Sequence, residues 1–445
     1  MNTPIADFVK KYADSDFSRF HMPGHKGKSF LGVEAYDITE VKGADALYEA
    51  DGIIAESEKN ATKLFGTKKT VYSTEGSSQC IRAMLYLALC YKKSSAKPYV
   101  IAARNAHKAF LYAAALLDLE IVWLMPDTMH SLCSCIVTKE QVETELKSRK
   151  EKPIAIYLTS PDYLGGQTDI KAIAEVCHKY DTILAVDNAH GAYLHFLEKP
   201  EHPMDLGADI CSDSAHKTLP VLTGGAYLQI SKGAPAYFSE NAKMAMALFG
   251  STSPSYLMLS SLDLCNRYLE NDYAGRLKKC VENVQKAKNR LTENGWKIEK
   301  TEPLKIVINS PKSITGSELS DMLRRQKMEC EYADKQYLVC MVTPENDAED
   351  LEKLVQILGK NTYGEAVEDI LKPAKYEQVL SVREAIFAPC ETIEIRDAKG
   401  RICASPTVGC PPAIPIVISG ERIDLEAIEL FRYYGIACID VVKEA

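Results

Sequence analysis

Thr182-Ile183-Leu184-Ala185-Val186-Asp187-Asn188-Ala189-His190-Gly191, followed downstream by Ser214-Ala215-His216-Lys217-Thr218-Leu219, decides how this chain is read. The run Ile183 to Val186 is short, apolar and β-branched at both ends, the pattern of a fully buried strand in a parallel sheet. Asp187 falls at its carboxyl end, where α/β folds place ligand chemistry. The second stretch follows the apolar Asp209-Ile210-Cys211 and precedes the glycine-rich Thr223-Gly224-Gly225-Ala226-Tyr227-Leu228. A lysine in such a turn, beside hydroxyl and imidazole groups, suits a Schiff base with pyridoxal 5'-phosphate (PLP). Ser214 and His216 then become cofactor contacts, and Asp187 the partner of a protonated pyridine nitrogen. The plain alternatives are a solvated surface lysine and an aspartate capping the next helix. What the chain carries upstream chooses between them.

Val71-Tyr72-Ser73-Thr74-Glu75-Gly76-Ser77-Ser78-Gln79 reads as a turn with hydroxyls at a helix start, and Cys80 to Leu89 as the helix. Free N–H groups and the helix dipole favour an anion there, so Ser77 and Ser78 are candidate phosphate ligands. A simple serine N-cap is the alternative. Tyr99-Val100-Ile101-Ala102-Ala103-Arg104-Asn105-Ala106-His107-Lys108-Ala109 reads as strand, turn and helix start. It puts His107 at a strand's carboxyl end, where an imidazole can stack on a pyridine ring, although a lone histidine also serves structure. His190, in the turn after Asp187, joins the candidate cofactor contacts. The order hydroxyl-rich turn, histidine, aspartate, lysine favours the cofactor reading.

With these residues the chain resembles the Orn/Lys/Arg decarboxylase family, fold-type-I PLP enzymes related to aspartate aminotransferase. Phe20-His21-Met22-Pro23-Gly24-His25-Lys26-Gly27 is similar to that family's PGHK signature. Asp37-Ile38-Thr39-Glu40, Gly43-Ala44-Asp45-Ala46-Leu47 and Phe65-Gly66 continue the pattern. Thr159-Ser160-Pro161, Tyr163 and Gly165 resemble its Ser-Pro-x-Tyr-x-Gly turn, and Ser214 to Lys217 its lysine site. Ser251-Thr252-Ser253-Pro254-Ser255-Tyr256 resembles the segment that reaches a neighbouring subunit's cofactor, which makes Thr252 a cofactor contact by resemblance. Gly400 to Ala404, Pro411 to Pro415 and Gly420-Glu421 support the likeness in the C-terminal third. There Cys410 stands where the family usually has an aromatic residue, and Ser405 where many members have an acidic or amide one. The resemblance implies a PLP-binding large domain with a mainly parallel sheet, smaller C-terminal α+β parts, and decarboxylation of lysine, ornithine or arginine. Lys217, Asp187, His107 and His216 are its expected catalytic groups. A homodimer or dimer of dimers is the expected assembly.

Composition agrees. At 445 residues the chain exceeds one ordinary core. An apolar share of 46% and a charged share of 26% mark a globular protein. There is no apolar run long enough to span a bilayer and no signal-like start, so a cytoplasmic location without membrane partners is expected. The net charge of -8 argues against nucleic acid. The fourteen cysteines are scattered. Cys133-Ser134-Cys135 lacks a second pair, and no metal is expected.

The expected organisation is an arm over 1–30, a PLP-binding domain over 31–265, a small α+β domain over 266–375 and a C-terminal α+β segment over 376–445. Strands are expected near Val71, Val100, Ile121, Ile154, Ile183, Ile210 and Ala226, parallel and with crossover helices on both faces. One long helical stretch is expected from Tyr256 to Leu291, and helical character over Asn361 to Val379. Two other functions fit the same residues. One is a different PLP reaction, an aminotransferase or lyase, for which Arg401 or Arg422 could anchor a substrate carboxylate. The other is an idle homologue that binds a partner.

Overall fold

The computed structural model describes residues 1–92, 96–127, 131–366, 375–405, 409–410 and 414–444. In chain order it runs α1 (Pro4–Ala13), α2 (Ile53–Leu64), β1 (Lys69–Ser73), α3 (Ser77–Tyr91), β2 (Tyr99–Ala103), α4 (Lys108–Leu116), β3 (Glu120–Leu124), α5 (Lys139–Ser148) and β4 (Ile156–Thr159). Next come α6 (Ile170–Lys179), β5 (Leu184–Asp187), β6 (Ile210–Asp213), α7 (Ala215–Thr218), β7 (Ala226–Ile230), α8 (Ala236–Ala247), α9 (Tyr256–Glu270) and α10 (Tyr273–Glu293). The remainder is β8 (Lys297–Ile298), β9 (Lys305–Asn309), α11 (Gly316–Arg325), β10 (Tyr332–Ala333), β11 (Tyr337–Met341), α12 (Ala348–Leu358), α13 (Val382–Phe387), β12 (Cys390–Glu394), β13 (Gly409–Cys410), β14 (Ile414–Pro415), α14 (Leu425–Tyr433) and β15 (Cys438–Val442). These form two compact units, Met1–Lys93 with Ile170–Lys278, and Ser94–Asp169 with Lys279–Ala445.

In the first unit the strands lie in the order β1-β7-β6-β5. Every residue of β5, β6 and β7 is buried, as a strand covered on both faces requires. β5 and β6 are parallel, with Asp187 opposite Ser212. Parallel pairing does not hold throughout: β7 runs antiparallel to both β6 and β1. Between β6 and β7 stands only the single turn of α7, followed by Gly224 at φ +99°. That is too little helix to cross the sheet face, so the chain folds back beside the strand it left. α3 packs on β6, β7 and α8. Its buried face (Cys80, Ile81, Ala83, Met84, Leu85, Leu87 and Ala88) covers that side of the sheet.

The second unit has β2 between β4 and β3, all parallel. It also holds an antiparallel sheet in the order β10-β11-β9-β8 and the antiparallel pair β12 and β15. Capping boxes at Thr138 with Gln141, Thr315 with Glu318 and Ser381 with Glu384 start α5, α11 and α13.

The long helix expected after Tyr256 is instead two. α9 stops at Glu270, Asp272 turns at φ +55°, and α10 begins at Tyr273. A left-handed residue ends a helix whatever its neighbours' propensity. The described parts of the expected helical connection, 361–366 and 375–379, contain no helix. The segment 367–374 and the quoted prolines Pro411 and Pro412 lie outside the described residues. Among the described residues no helix is long and apolar enough to cross a membrane.

Candidate active site

The first unit brings together most of the residues singled out in the sequence. Asp187 ends β5 and is 3% exposed. It does not cap the following short 3-10 turn, whose N-cap is Gly191. His190, also buried, sits 2.8 Å through Nε2 from the Lys217 Nζ. The lysine stands not in an irregular turn but in the one-turn helix α7, with Ser214 as its N-cap residue. A helical turn points Lys217 back toward the chain that left β5, which explains the contact with His190.

Ser214 Oγ donates to Ser77 Oγ at 2.9 Å, joining the lysine turn to the start of α3. There Gly76 is the N-cap residue, at φ +72° and ψ -179°, and no side chain caps the helix. Its first N–H groups and the half-buried hydroxyls of Ser77 and Ser78 form a donor set for an anion. His216 turns the other way, its Nδ1 3.0 Å from the Gly225 carbonyl, so that Nδ1 carries the proton and ties α7 to the glycine turn.

Thr252 is exposed on the loop between α8 and α9. That loop is held beside α3. A Cβ at Gly250 would stand 1.8 Å from Tyr48 Oη and 2.1 Å from Gln79 Nε2, so any other residue there would have to displace the Tyr48–Gln79 pair. Gln79, fully buried, donates to Tyr48 Oη and to the Met246 carbonyl, both at 2.8 Å, and accepts from Ser73 Oγ at 2.6 Å. Burial raises the Tyr48 phenol above its ordinary pKa. Sequence reading missed Tyr48, Gln79 and Gly250. Gln79 follows the two serines directly, and a glutamine inside a helix's first turn was the one available signal.

The quoted motifs nearest the N-terminus have structural employment. His25 Nε2 lies 3.2 Å from Asp37 Oδ2, while its Nδ1 accepts from the Gly27 N–H at 3.0 Å. Asp45 Oδ2 accepts from the N–H groups of Gly52 and Ile54, both at 2.9 Å, and so starts α2.

His107 belongs to the second unit. It is the N-cap of α4, its Nδ1 accepting from the Ala109 N–H at 3.1 Å. That bond leaves the proton on Nε2. In the same unit Arg104 donates to the carbonyls of Pro415 (3.2 Å) and Ile416 (3.0 Å) and pairs with the buried Glu421 at 3.4 Å. The two C-terminal arginines considered as carboxylate anchors are held locally. Arg401 pairs with Glu391 at 2.7 Å, and Arg422 with Glu377 at 2.8 Å.

The residues of the first unit fit a phosphorylated pyridine cofactor. An uncapped helix start with three hydroxyls suits a phosphate, a buried carboxylate at a strand end suits a ring nitrogen, and a lysine stands 2.8 Å from a buried imidazole. Thr218 Oγ1 and Ser212 Oγ, the latter opposite Asp187 in the sheet register, are buried without hydrogen-bond partners among the described residues.

The fold is that of the fold-type-I PLP enzymes. Lysine decarboxylase from Francisella novicida superposes with a TM-score of 0.82, over 99% of this chain and 81% of that one, at 15% identity. The constitutive lysine decarboxylase of Escherichia coli does so at 0.79, over 99% and 82%, at 16% identity. The family model of the Orn/Lys/Arg decarboxylase major domain matches residues 3–313, and that of the C-terminal domain residues 359–439. The chain belongs to the Orn/Lys/Arg decarboxylase family of PLP-dependent amino-acid decarboxylases. A relative named arginine decarboxylase from Bacillus subtilis is 28% identical over 96% of this chain and 92% of its own length.

Proposed function

We propose that this enzyme binds PLP through Lys217 and removes the α-carboxylate of a basic amino acid, giving the amine and CO2. The observation that carries the site assignment is the convergence in one unit of Lys217 on His190 and of Ser214 on Ser77, with Asp187 buried at the end of β5. PLP, when bound, supplies an electron sink for the bond broken at Cα.

The chain's own residues do the rest. Ser77, Ser78, Ser214 and the first N–H groups of α3 hold the phosphate, and Thr252 of a neighbouring subunit adds a further hydroxyl. Asp187 holds a proton on the ring nitrogen. His107, the N-cap of α4, would be the ring-stacking residue that the family likeness implies. His190 faces the Lys217 Nζ at 2.8 Å, and Lys217 returns a proton to Cα, while His216, tied through Nδ1 to the Gly225 carbonyl, holds the lysine helix against the glycine turn. Arginine is the first substrate to try, because long-range relatives carry that name; ornithine and lysine follow. An aminotransferase is less well supported, since both candidate carboxylate anchors are engaged in local ion pairs.

The test is direct. The purified protein is given PLP and each of the three amino acids, and CO2 and amine are measured. Release of both in equal amounts from one of them is expected, with Lys217→Ala inactive and borohydride fixing the cofactor on Lys217. Labelling of another lysine, or keto-acid formation without CO2, overturns the assignment.

A further inference from the structure

Behind Asp187, in the first unit, lies a second carboxylate that the proposed reaction does not use. Asp213, the last residue of β6, is fully buried. Its Oδ1 accepts from Asn188 Nδ2 at 2.6 Å, and its Oδ2 from Gln229 Nε2 at 3.0 Å. His202 Nε2 stands 3.1 Å from both oxygens. The Met204 N–H donates to His202 Nδ1 at 3.2 Å. Nδ1 is therefore an acceptor, and Nε2 carries the proton given to Asp213. All four side chains are fully buried. Three N–H donors thus converge on one acceptor-only group from the loop after β5, from the 197–209 connection and from β7, and the Cys211 thiol lies 3.9 Å from Oδ1.

The placement gives this network its meaning. Asn188 is the residue after Asp187, and its backbone N–H bonds the Ser212 carbonyl at 2.9 Å. The Gly191 N–H bonds the Asn188 carbonyl at 2.9 Å, and a Cβ at Gly191 would meet Asn188 Oδ1 at 2.0 Å. The turn carrying His190 is therefore wrapped tightly on the Asn188 side chain, which Asp213 holds. On its other side Asp213 is followed by Ser214 and the lysine helix. One carboxylate so fixes the exits of two strands, one leading to Asp187 and His190, the other to Ser214 and Lys217.

Cys211, Asp213 and His202 also lie close enough to share a metal ion. The Asp213 oxygens, however, already face three N–H donors, and burial beside Asp213 pushes the Cys211 thiol well above its usual range, away from the thiolate a metal would need. We infer that Asp213 is a positioning residue, holding the Asp187–His190 turn and the lysine helix in mutual register through Asn188 and His202. This deepens the proposed function and rests on it for its catalytic consequence, though not for its structural one.

The test uses the full-length chain. Asp213→Asn keeps the shape but turns an N–H toward donors. The backbone amides of Asn188 and Gly191 are expected to exchange with deuterium at least tenfold faster, and PLP to bind at least tenfold more weakly by fluorescence titration. His202→Leu removes one donor, whereas His202→Gln restores an N–H. Leu is expected to show both losses and Gln to recover most of each, and this pair decides the matter if Asp213→Asn does not fold. Native exchange at 188–191 in His202→Leu, or equal losses in Leu and Gln, overturns the inference. So does one equivalent of tightly bound metal in the wild-type protein that disappears in His202→Leu. If the wild-type chain binds no PLP, the proposed function falls, while the exchange rates still decide whether Asp213 holds the turn.

Discussion

Asp162 has no exposed surface. Ser134 Oγ donates to its Oδ2 at 2.6 Å and the Gly166 N–H to its Oδ1 at 2.8 Å. Burial outweighs these bonds and raises its pKa to about 6. The unfolded chain releases that proton near ~3.9. Between the two values the folded state binds more protons, so stability falls as pH rises. The favourable contribution is complete below about pH 4 and lost above about pH 6, and two units amount to roughly 3 kcal/mol. In Asp162→Asn the amide oxygen still accepts from Gly166, and the Ser134 hydroxyl can rotate to accept. Urea unfolding of wild type and variant across this range is expected to diverge, the variant gaining relative stability toward neutral pH. Parallel curves would contradict it. Asp187→Asn asks a different question of a carboxylate. Shape is kept and charge is lost, so PLP is expected to bind while turnover falls by orders of magnitude, as for loss of an electrostatic partner of the transition state. A loss below about threefold, measured under saturating PLP, means that the ring nitrogen is partnered elsewhere.

The start of α3 shows what an element contributes beyond its residues. Gly76 holds a positive φ with extended ψ, a region nearly closed to other residues, and nothing lies within 4 Å of a Cβ built there. Gly76→Ala therefore reports on the backbone alone. It is expected to cost on the order of 1–3 kcal/mol in stability and to weaken phosphate binding, so PLP affinity should fall while pyridoxal without phosphate binds as before. Equal loss for both ligands would place the phosphate elsewhere. This helix start was legible in the sequence because hydroxyls precede an apolar helical run, and β5 was legible as a short apolar run ending in a carboxylate. The break at Asn271 and Asp272 was not, since neither residue interrupts the apolar periodicity around it. Nor was the reversal of β7, which depends on how few residues α7 commits to helix. The Asp213 network escaped for another reason. Asn188, His202, Asp213 and Gln229 come from four separate stretches, and only the strand register brings them to one point.

For the molecule as a whole, the N-terminal segment bears on assembly. Phe17, Phe20, Met22, Phe30 and Leu31 are 68%, 96%, 52%, 80% and 84% exposed. So many large apolar side chains exposed within one short segment are what an interaction surface would present. The loop bearing Thr252 is anchored at Gly250 and leaves that threonine exposed. Both features fit a two-fold dimer in which each cofactor site takes residues from two chains, with a large and mostly apolar interface. Sedimentation should then show no monomer at working concentrations. Replacing Phe20 and Leu31 together by Ser should shift the protein toward monomer and lower activity in proportion. Mixing decides whether the sites are shared. Chains inactivated by Lys217→Ala and chains disabled at Thr252 are each inactive alone. A mixed dimer places both lesions in one site and leaves the other intact, so part of the activity should return after co-refolding. Recovery of none, with mixed dimers demonstrated by tag capture, means that each chain completes its own site and that Thr252 acts within it. Full activity in a sedimenting monomer removes the dimer from the mechanism altogether.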